Sequence, residues 1–430
     1  MADLSRQLKN FLERQDKSKI EPAKISNLKE KLQRIYEKST REKFFPEEVV
    51  IKDYKNIEHF INGKWYNTPH GDVFIARSQF QISNRMGNRK LEEILQINDT
   101  WLAKLGNFKQ IDAIDFNQTI FLDTETTGLS VGTGTISFII GIGYLSEEKF
   151  FIDQYFIENF NKEAGMLSLL ADFLKSYSTM ITFNGKAFDI PILESRYILN
   201  MLDSPFKNLS HLDLLYPARQ LWNLELENCK LSTIEEKILS IKRENDIPGE
   251  EVPRYYFRYL HTSDPKEIKP IFDHNRQDIL SLVLTTIAIW QHFHNIDPHA
   301  NTPSIKKSRA KILTKKGEID RAIEEYKELI SHNIPSFVKK EFLIKLGMLY
   351  KKKKIFREME SVFLKSIKID DPFYLTPYIE LAKYYEHKMK NYKEALKYIE
   401  MALERISNTK REDIQQLIKR LNRVKRKIAT

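Results

Sequence analysis

The sequence predicts an α/β domain built on a mixed sheet, followed by an all-α domain of helical repeats. Two observations carry this. Between Gln118 and Ile157 three β-prone apolar runs succeed one another with glycine at the turns, and short single strands then alternate with helical stretches to His294. Beyond Asn301 every segment is helical, and small and aromatic residues recur with a period of about 36. A chain of 430 residues is too long for one ordinary core, which fits more than one domain.

Residues 1–115 are expected to form an accessory region of helices and short strands. Helical periodicity is visible at Leu8–Phe11 and at Leu28, Leu32 and Tyr36. Gly63–Trp65 and Gly71–Ile75 have the pattern of turns between short strands, and Leu91–Leu105 is amphipathic.

The α/β domain is expected over residues 116–296. Thr119–Asp123 is an apolar strand ending in a carboxylate, and the Gly-rich link Gly128–Gly134 leads to a second strand, Ile136–Tyr144. A third, Phe150–Ile157, completes an antiparallel meander. A helix Glu163–Tyr177, a buried strand Met180–Phe183, a helix Pro191–Leu199 and a strand His211–Leu215 follow. From there to His294 the pattern is helical, broken near Asp246–Gly249.

Residues 300–430 are expected to be helical pairs. Ala310, Ala322 and Tyr326 align with Gly347, Met359 and Phe363, and again with Ala382, Ala395 and Ile399. Small residues at matching positions let two helices approach closely, and the period lies near the roughly 34 residues of tetratricopeptide repeats. The last helix, Glu412–Ile428, carries Lys419, Arg420, Arg423, Lys425, Arg426 and Lys427, which suits a solvated capping helix or a nucleic-acid contact. From Pro298 onward Lys and Arg number 32 against 17 Asp and Glu, so a basic tail follows a slightly acidic remainder. Such asymmetry points to an anionic partner.

No apolar run approaches the roughly 20 residues of a membrane helix, and the N-terminus lacks an apolar signal core. Cys229, the single cysteine, supports neither a disulfide nor a cysteine-based zinc site. These features lead to the expectation of a cytoplasmic protein without structural metal or membrane contact.

Candidate chemistry lies in three separated places. In Phe121–Leu129, side chains at i and i+2 of a strand share a face, so Asp123 and Glu125 project together. Two acids on one face repel each other unless a cation lies between them, and hard oxygen ligands suit magnesium or manganese. In Phe183–Asp189, a buried strand ends in a Gly-containing turn with Asp189 at the start of the next helix, where an N-cap role is the alternative. In Asp273–Leu280, His274 and Asp278 lie one turn apart on one helix face, with Ile279, Leu282 and Val283 on the neighbouring core-directed face. Four acids so distributed can hold two divalent ions, and a histidine can orient or deprotonate water. Asp213 and Asp246 are expected to be structural.

The order DxE, N-x3-F-D and H-x3-D resembles the motifs of the DEDD exonuclease superfamily, which has the ribonuclease H-like fold. FLDTETTGLSVGTGTISFIIGIGYL, ITFNGKAFDIPIL and HNRQDILSL are similar to the YprB-type ribonuclease H-like family, and LSTIEEKILSIKRENDIPGEEVPRYYFRYL looks like its connecting segment. The resemblance is dense over about 116–296, thin over 50–115, and such domains also occur with a tetratricopeptide tail.

It implies Asp123, Glu125, Asp189 and Asp278 as metal ligands, His274 as general base, and two magnesium or manganese ions. Thr126, Thr127, Gly128 and Leu129 would touch the terminal nucleotide, and Asn184 would lie beside the site. The implied activity is 3′–5′ hydrolysis of single-stranded DNA or RNA. In one departure, a histidine stands four residues before the last acid, where one branch has tyrosine and the other has histidine at five. One residue of offset turns a helical side chain by about 100°. A different class of function, a helical-repeat scaffold for a protein partner with a weak nuclease-like domain, is the competing expectation.

Overall fold

The computed structural model describes residues 57–429, apart from 110–111, 129, 131, 133, 298–300, 370–373 and 406–410. The two helices expected before residue 40, and Leu129, lie outside the described residues. Two compact units emerge. The first runs to Arg219 and resumes over Leu226–His294, and the second comprises Gln220–Glu225 and the chain from Asn295.

The first unit is built on a seven-stranded mixed sheet. Its strands are β1 (Gly63–Tyr66), β2 (Val73–Gln81), β3 (Thr119–Thr126), β4 (Ser137–Ser146), β5 (Lys149–Phe156), β6 (Thr179–Thr182) and β7 (Ser210–Asp213). They lie in the order β1-β2-β5-β4-β3-β6-β7. The expected meander is β3-β4-β5, antiparallel throughout, and β6 and β7 then add in parallel beside β3. The last strand is shorter than expected, because Leu215 already opens the next helix.

The expected boundary at residue 115 does not divide this sheet. β2 pairs with β5 over eight positions, Phe74↔Phe156 to Gln81↔Lys149, and the bidentate Arg77–Asp153 ion pair lies across that register at 2.6–2.7 Å. Pairing between strands so far apart in the chain leaves no local pattern, so two short strands between turns resemble a satellite.

Helices α1 (Trp101–Gly106), α2 (Glu163–Leu174), α3 (Asp189–Leu199), α4 (Leu215–Trp222), α5 (Leu231–Ile234), α6 (Val252–Thr262) and α7 (Pro265–His294) complete this part of the chain. Across α7, Ile279–Ile289 is buried without a break. One side packs on β3 and β4, and the other is covered by residues 89–105. There Trp101 lies 4.0 Å from Phe293 between ring centres, and Asp99 accepts the Trp290 indole N–H at 3.0 Å. A buried Glu163–Arg196 pair, bidentate at 2.5–2.6 Å, ties α2 to α3.

The second unit consists of three helical hairpins and a last helix. They are α8 (Pro303–Lys316) with α9 (Ile319–Ser331), α10 (Ser336–Lys352) with α11 (Phe356–Ile367), α12 (Thr376–His387) with α13 (Tyr392–Leu403), and α14 (Arg411–Ala429). The aligned small residues Ala310, Ala322, Ala382, Ala395 and Ala402 are all fully buried. A Cβ on Gly347 would collide with the Phe363 ring, so this crossing requires glycine. On α14, Arg420, Arg423 and Lys427 converge on the buried carboxylate of Glu386 in α12, which gives that face of the basic helix a packing role. No helix among the described residues is long and apolar enough to cross a membrane.

Candidate active site

The site forms toward the carboxyl ends of the parallel strands β3 and β6, where the chain leaves β6 for α3. Asp123 and Glu125 leave β3 on one face as the i, i+2 spacing requires. A β-bulge between Glu125 and Thr126 shifts the pairing with β4, from Glu125↔Ile139 to Thr126↔Ser137. Bulges of this kind re-aim a side chain at a sheet margin.

Asp123, Asp189 and Asp278 are each held by a different partner. Asp123 accepts from Asn275 Nδ2 at 2.8 Å, and the fully buried Asn275 accepts in turn from Gln154 Nε2 at 2.9 Å. Gly141, opposite Asp123 in the β3–β4 register, makes this possible, because a Cβ there would fall inside the Asn275 carboxamide. Asp189 is the first residue of α3 rather than its N-cap, which is Phe188. Its carboxylate accepts the Thr124 hydroxyl at 2.5 Å. Asp278, far along the chain on α7, accepts from Arg243 Nη2. Glu125 is buried, and its Oε1 has no hydrogen-bond partner among the described residues.

These groups feel one another. Burial, then the charges of Asp278 and Asp189, push the Asp123 carboxyl well above the usual range. Burial and the charges of Asp123, Asp278 and Asp189 do the same to Glu125. Burial lifts Asp189 to about 6 against the opposing Thr124 hydrogen bond. Among the described residues, however, no three His, Cys, Asp or Glu side chains already converge tightly enough to hold a metal ion. The separate hydrogen bonds of Asp123, Asp189 and Asp278 explain this, since each carboxylate is turned toward its own donor.

The set nonetheless suits a hard divalent cation. Its donors are all oxygen, one buried oxygen is unsatisfied, and mutual repulsion is the work a cation would relieve.

His274 faces Asp278, with Nε2 3.6 Å from Oδ2, while Nδ1 lies 2.7 Å from Asp246 Oδ1. The one-residue departure in spacing therefore still delivers the imidazole to the acids. Burial disfavours its charged form, but the Asp246 hydrogen bond and the charges of Asp278 and Asp246 outweigh this and raise its pKa. Asp246 is thus a partner of His274, not merely a structural loop residue. Asp213 is structural, as expected: it accepts the backbone N–H groups of Asn184, Lys186 and Leu215 at 2.8–3.1 Å.

Of the residues expected at the terminal nucleotide, Thr126 and Thr127 also carry hydrogen bonds within the chain. The Thr126 hydroxyl donates to Gly128 O at 2.7 Å and the Thr127 hydroxyl accepts from Ile136 N at 3.0 Å, so both shape the β3–β4 connection. Asn184 is exposed in the turn after β6 at φ +64°.

Arg243 was not visible in the sequence as a site residue. It donates to both oxygens of Glu235 at 2.6 Å, to Asp246 at 2.9 Å and to Asp278. Glu235 reaches inward from a π-helical turn, Glu235–Leu239, and is itself buried. Arg243, Glu235 and Asp246 come from the stretch matched above only as a connecting segment.

The chain is 28% identical over 361 residues to "Uncharacterized protein YprB" of Bacillus subtilis (strain 168), covering 83% of this chain and 86% of that protein. The model of the RNase_H superfamily matches residues 120–290, which hold β3 to β7 and all four acids. Residues 120–290 of this chain form an RNase_H superfamily domain.

Proposed function

We propose that this protein is a metal-dependent 3′–5′ exonuclease of single-stranded DNA or RNA. The observation that carries the reading is the meeting of Asp123, Glu125, Asp189 and Asp278 in one electrostatic set, with His274 on its rim. Two magnesium or manganese ions held by these four acids would activate water and stabilise the leaving oxygen.

The chain's own residues supply the rest. Asp246 accepts the Nδ1 proton of His274, which leaves Nε2 as the basic nitrogen facing Asp278. His274 then takes a proton from the attacking water. The new P–O bond forms as the P–O3′ bond breaks, and the leaving O3′ takes a proton from solvent water, releasing a nucleoside 5′-monophosphate and a strand shortened by one nucleotide with a free 3′-hydroxyl. Arg243 holds the Asp246 and Asp278 carboxylates relative to one another. Thr126, Thr127, Gly128, Leu129 and Asn184 are proposed to border the terminal nucleotide. The helical hairpins of 300–430 are read as tetratricopeptide-like and available to a protein partner.

The test uses 5′-labelled DNA and RNA strands, 3′-blocked and unblocked, with magnesium, manganese or EDTA. A metal-dependent ladder is expected on unblocked strands, absent in Asp123→Ala, which stays folded because it relieves repulsion in the acid set. His274→Ala is expected to slow single turnover by roughly 10²–10⁴-fold. No product under any metal from folded protein would refute the exonuclease and leave the scaffold role of the helical hairpins.

A further inference from the structure

Beside the acid set, residues 241–246 and the first half of α7 enclose a cleft of about 630 Å³. Arg243 and Asp246, which bond Asp278 and His274, line it, so one wall of the cleft is in direct contact with the acid set. Lys242, Lys266 and Lys269 line it too and are exposed, and Arg276 is half-buried. Lys266, Lys269 and Arg276 fall on one stripe of α7, spaced by three and seven residues. From Lys266 to Arg276 that stripe spans about 15 Å at the helical rise, the length of several phosphates at the roughly 3.4 Å per-strand spacing of B-DNA.

The existing ion pairs do not block such a use. Lys269 and Arg276 both reach Asp273, at 2.8 and 2.6 Å, but these contacts are partly exposed and near in sequence. Pairs of this kind contribute about 0–1 kcal/mol, so phosphate oxygens can replace the carboxylate at little cost. Among the described residues no aromatic ring lines the cleft, so its chemistry is chiefly ionic.

We infer that this cleft carries the phosphodiester backbone of a single strand toward the acid set, through Lys242, Lys266 and Lys269, without reading its bases. The inference rests on the nuclease reading. It also meets an electrostatic need, since four acids repel a polyanion and a basic stripe beside them offsets that repulsion.

The test measures binding of a fluorescent single-stranded oligonucleotide by full-length Asp123→Ala protein in EDTA, across a KCl series. Replacing Lys242, Lys266 and Lys269 together by serine is expected to weaken binding of every sequence alike. The slope of log affinity against log salt should shrink by about 2, since each lost phosphate contact removes about 0.7. Arginine at the same three positions should keep the slope. An unchanged slope in the serine variant overturns the proposal, as does equal affinity for a poly-glutamate peptide, which would assign the cleft to an acidic protein segment. Hydrolysis by the unmodified protein is assayed separately. Lysine-dependent binding without hydrolysis would keep the cleft and remove the exonuclease.

Discussion

Asp123 is held in place by a chain of amides rather than by a charge. Gln154 donates to Asn275 and Asn275 donates to Asp123, all on buried or half-buried ground. Amide donors orient a carboxylate without neutralising it, so its affinity for a cation is kept. The arrangement depends on Gly141 having no side chain. Gly141→Ala is therefore expected to displace Asn275, which is too enclosed to withdraw, lowering stability by about 1–3 kcal/mol and activity at least as far as Asn275→Ala does. Thermal unfolding and turnover of both variants check this, and wild-type behaviour of Gly141→Ala would refute it. At this scale the sequence was most informative about the acids. The spacing of Asp123 and Glu125 and of His274 and Asp278 encodes a shared face directly. Arg243 was illegible because its partners stand 8 and 35 residues away, beyond the reach of any helical or strand spacing. The same holds for Thr124, whose bond to Asp189 crosses 65 residues.

Among the elements, the strands and hairpins with strong apolar periodicity were legible, and their boundaries moved by only a few residues. What stayed hidden was partner choice, since β2 joins β5 by backbone pairing that any β-prone run can offer. The basic last helix α14 illustrates a second limit, because its composition fits a packing role and a nucleic-acid role equally. The structure shows Glu386 as the centre of one face. Burial pushes that carboxyl up, but hydrogen bonds from Arg423 and Lys427 and the charges of His387 and Arg420 outweigh it and hold it at about 2. A lowered carboxyl stabilises the fold fully above its ordinary 4.5 and loses that contribution as pH falls through about 2. Hydrogen exchange in α14 is expected to accelerate over that window. Glu386→Gln should produce the same loosening at neutral pH, by roughly 3–5 kcal/mol, and should abolish the acid-dependent step. Persistence of that step in the variant would place the titration elsewhere.

On the scale of the whole molecule, the segment from Ile57 to Gly106 is part of the first unit's structure. It contributes two strands to the sheet and covers the outer side of α7. Trp101→Ala removes the ring packed on Phe293 and is expected to cost about 3–5 kcal/mol. Calorimetry should show the transition of the entire first unit moving down together. An early separate transition, with the remainder unmoved, would mean that this segment folds as an independent layer. The charge asymmetry read from composition acquires a location as well. Part of the tail's surplus is committed to Glu386, while the lysines of the cleft belong to the unit whose net charge is acidic.

The position of α7 has a consequence for how the protein comes into being. It is the last element of the first unit to be synthesised, yet it packs against the centre of a sheet whose strands begin at Gly63. A nascent chain that has emerged only as far as α6 carries Asp123, Glu125 and Asp189 but lacks Asn275, His274 and Asp278. Assembly of the acid set is thus a single late event governed by contacts of long sequence separation, and such contacts form slowly. The helical hairpins that follow are made from neighbouring segments and can form as each leaves the ribosome. In the order of biogenesis, the first unit to be translated is the one whose chemistry must wait.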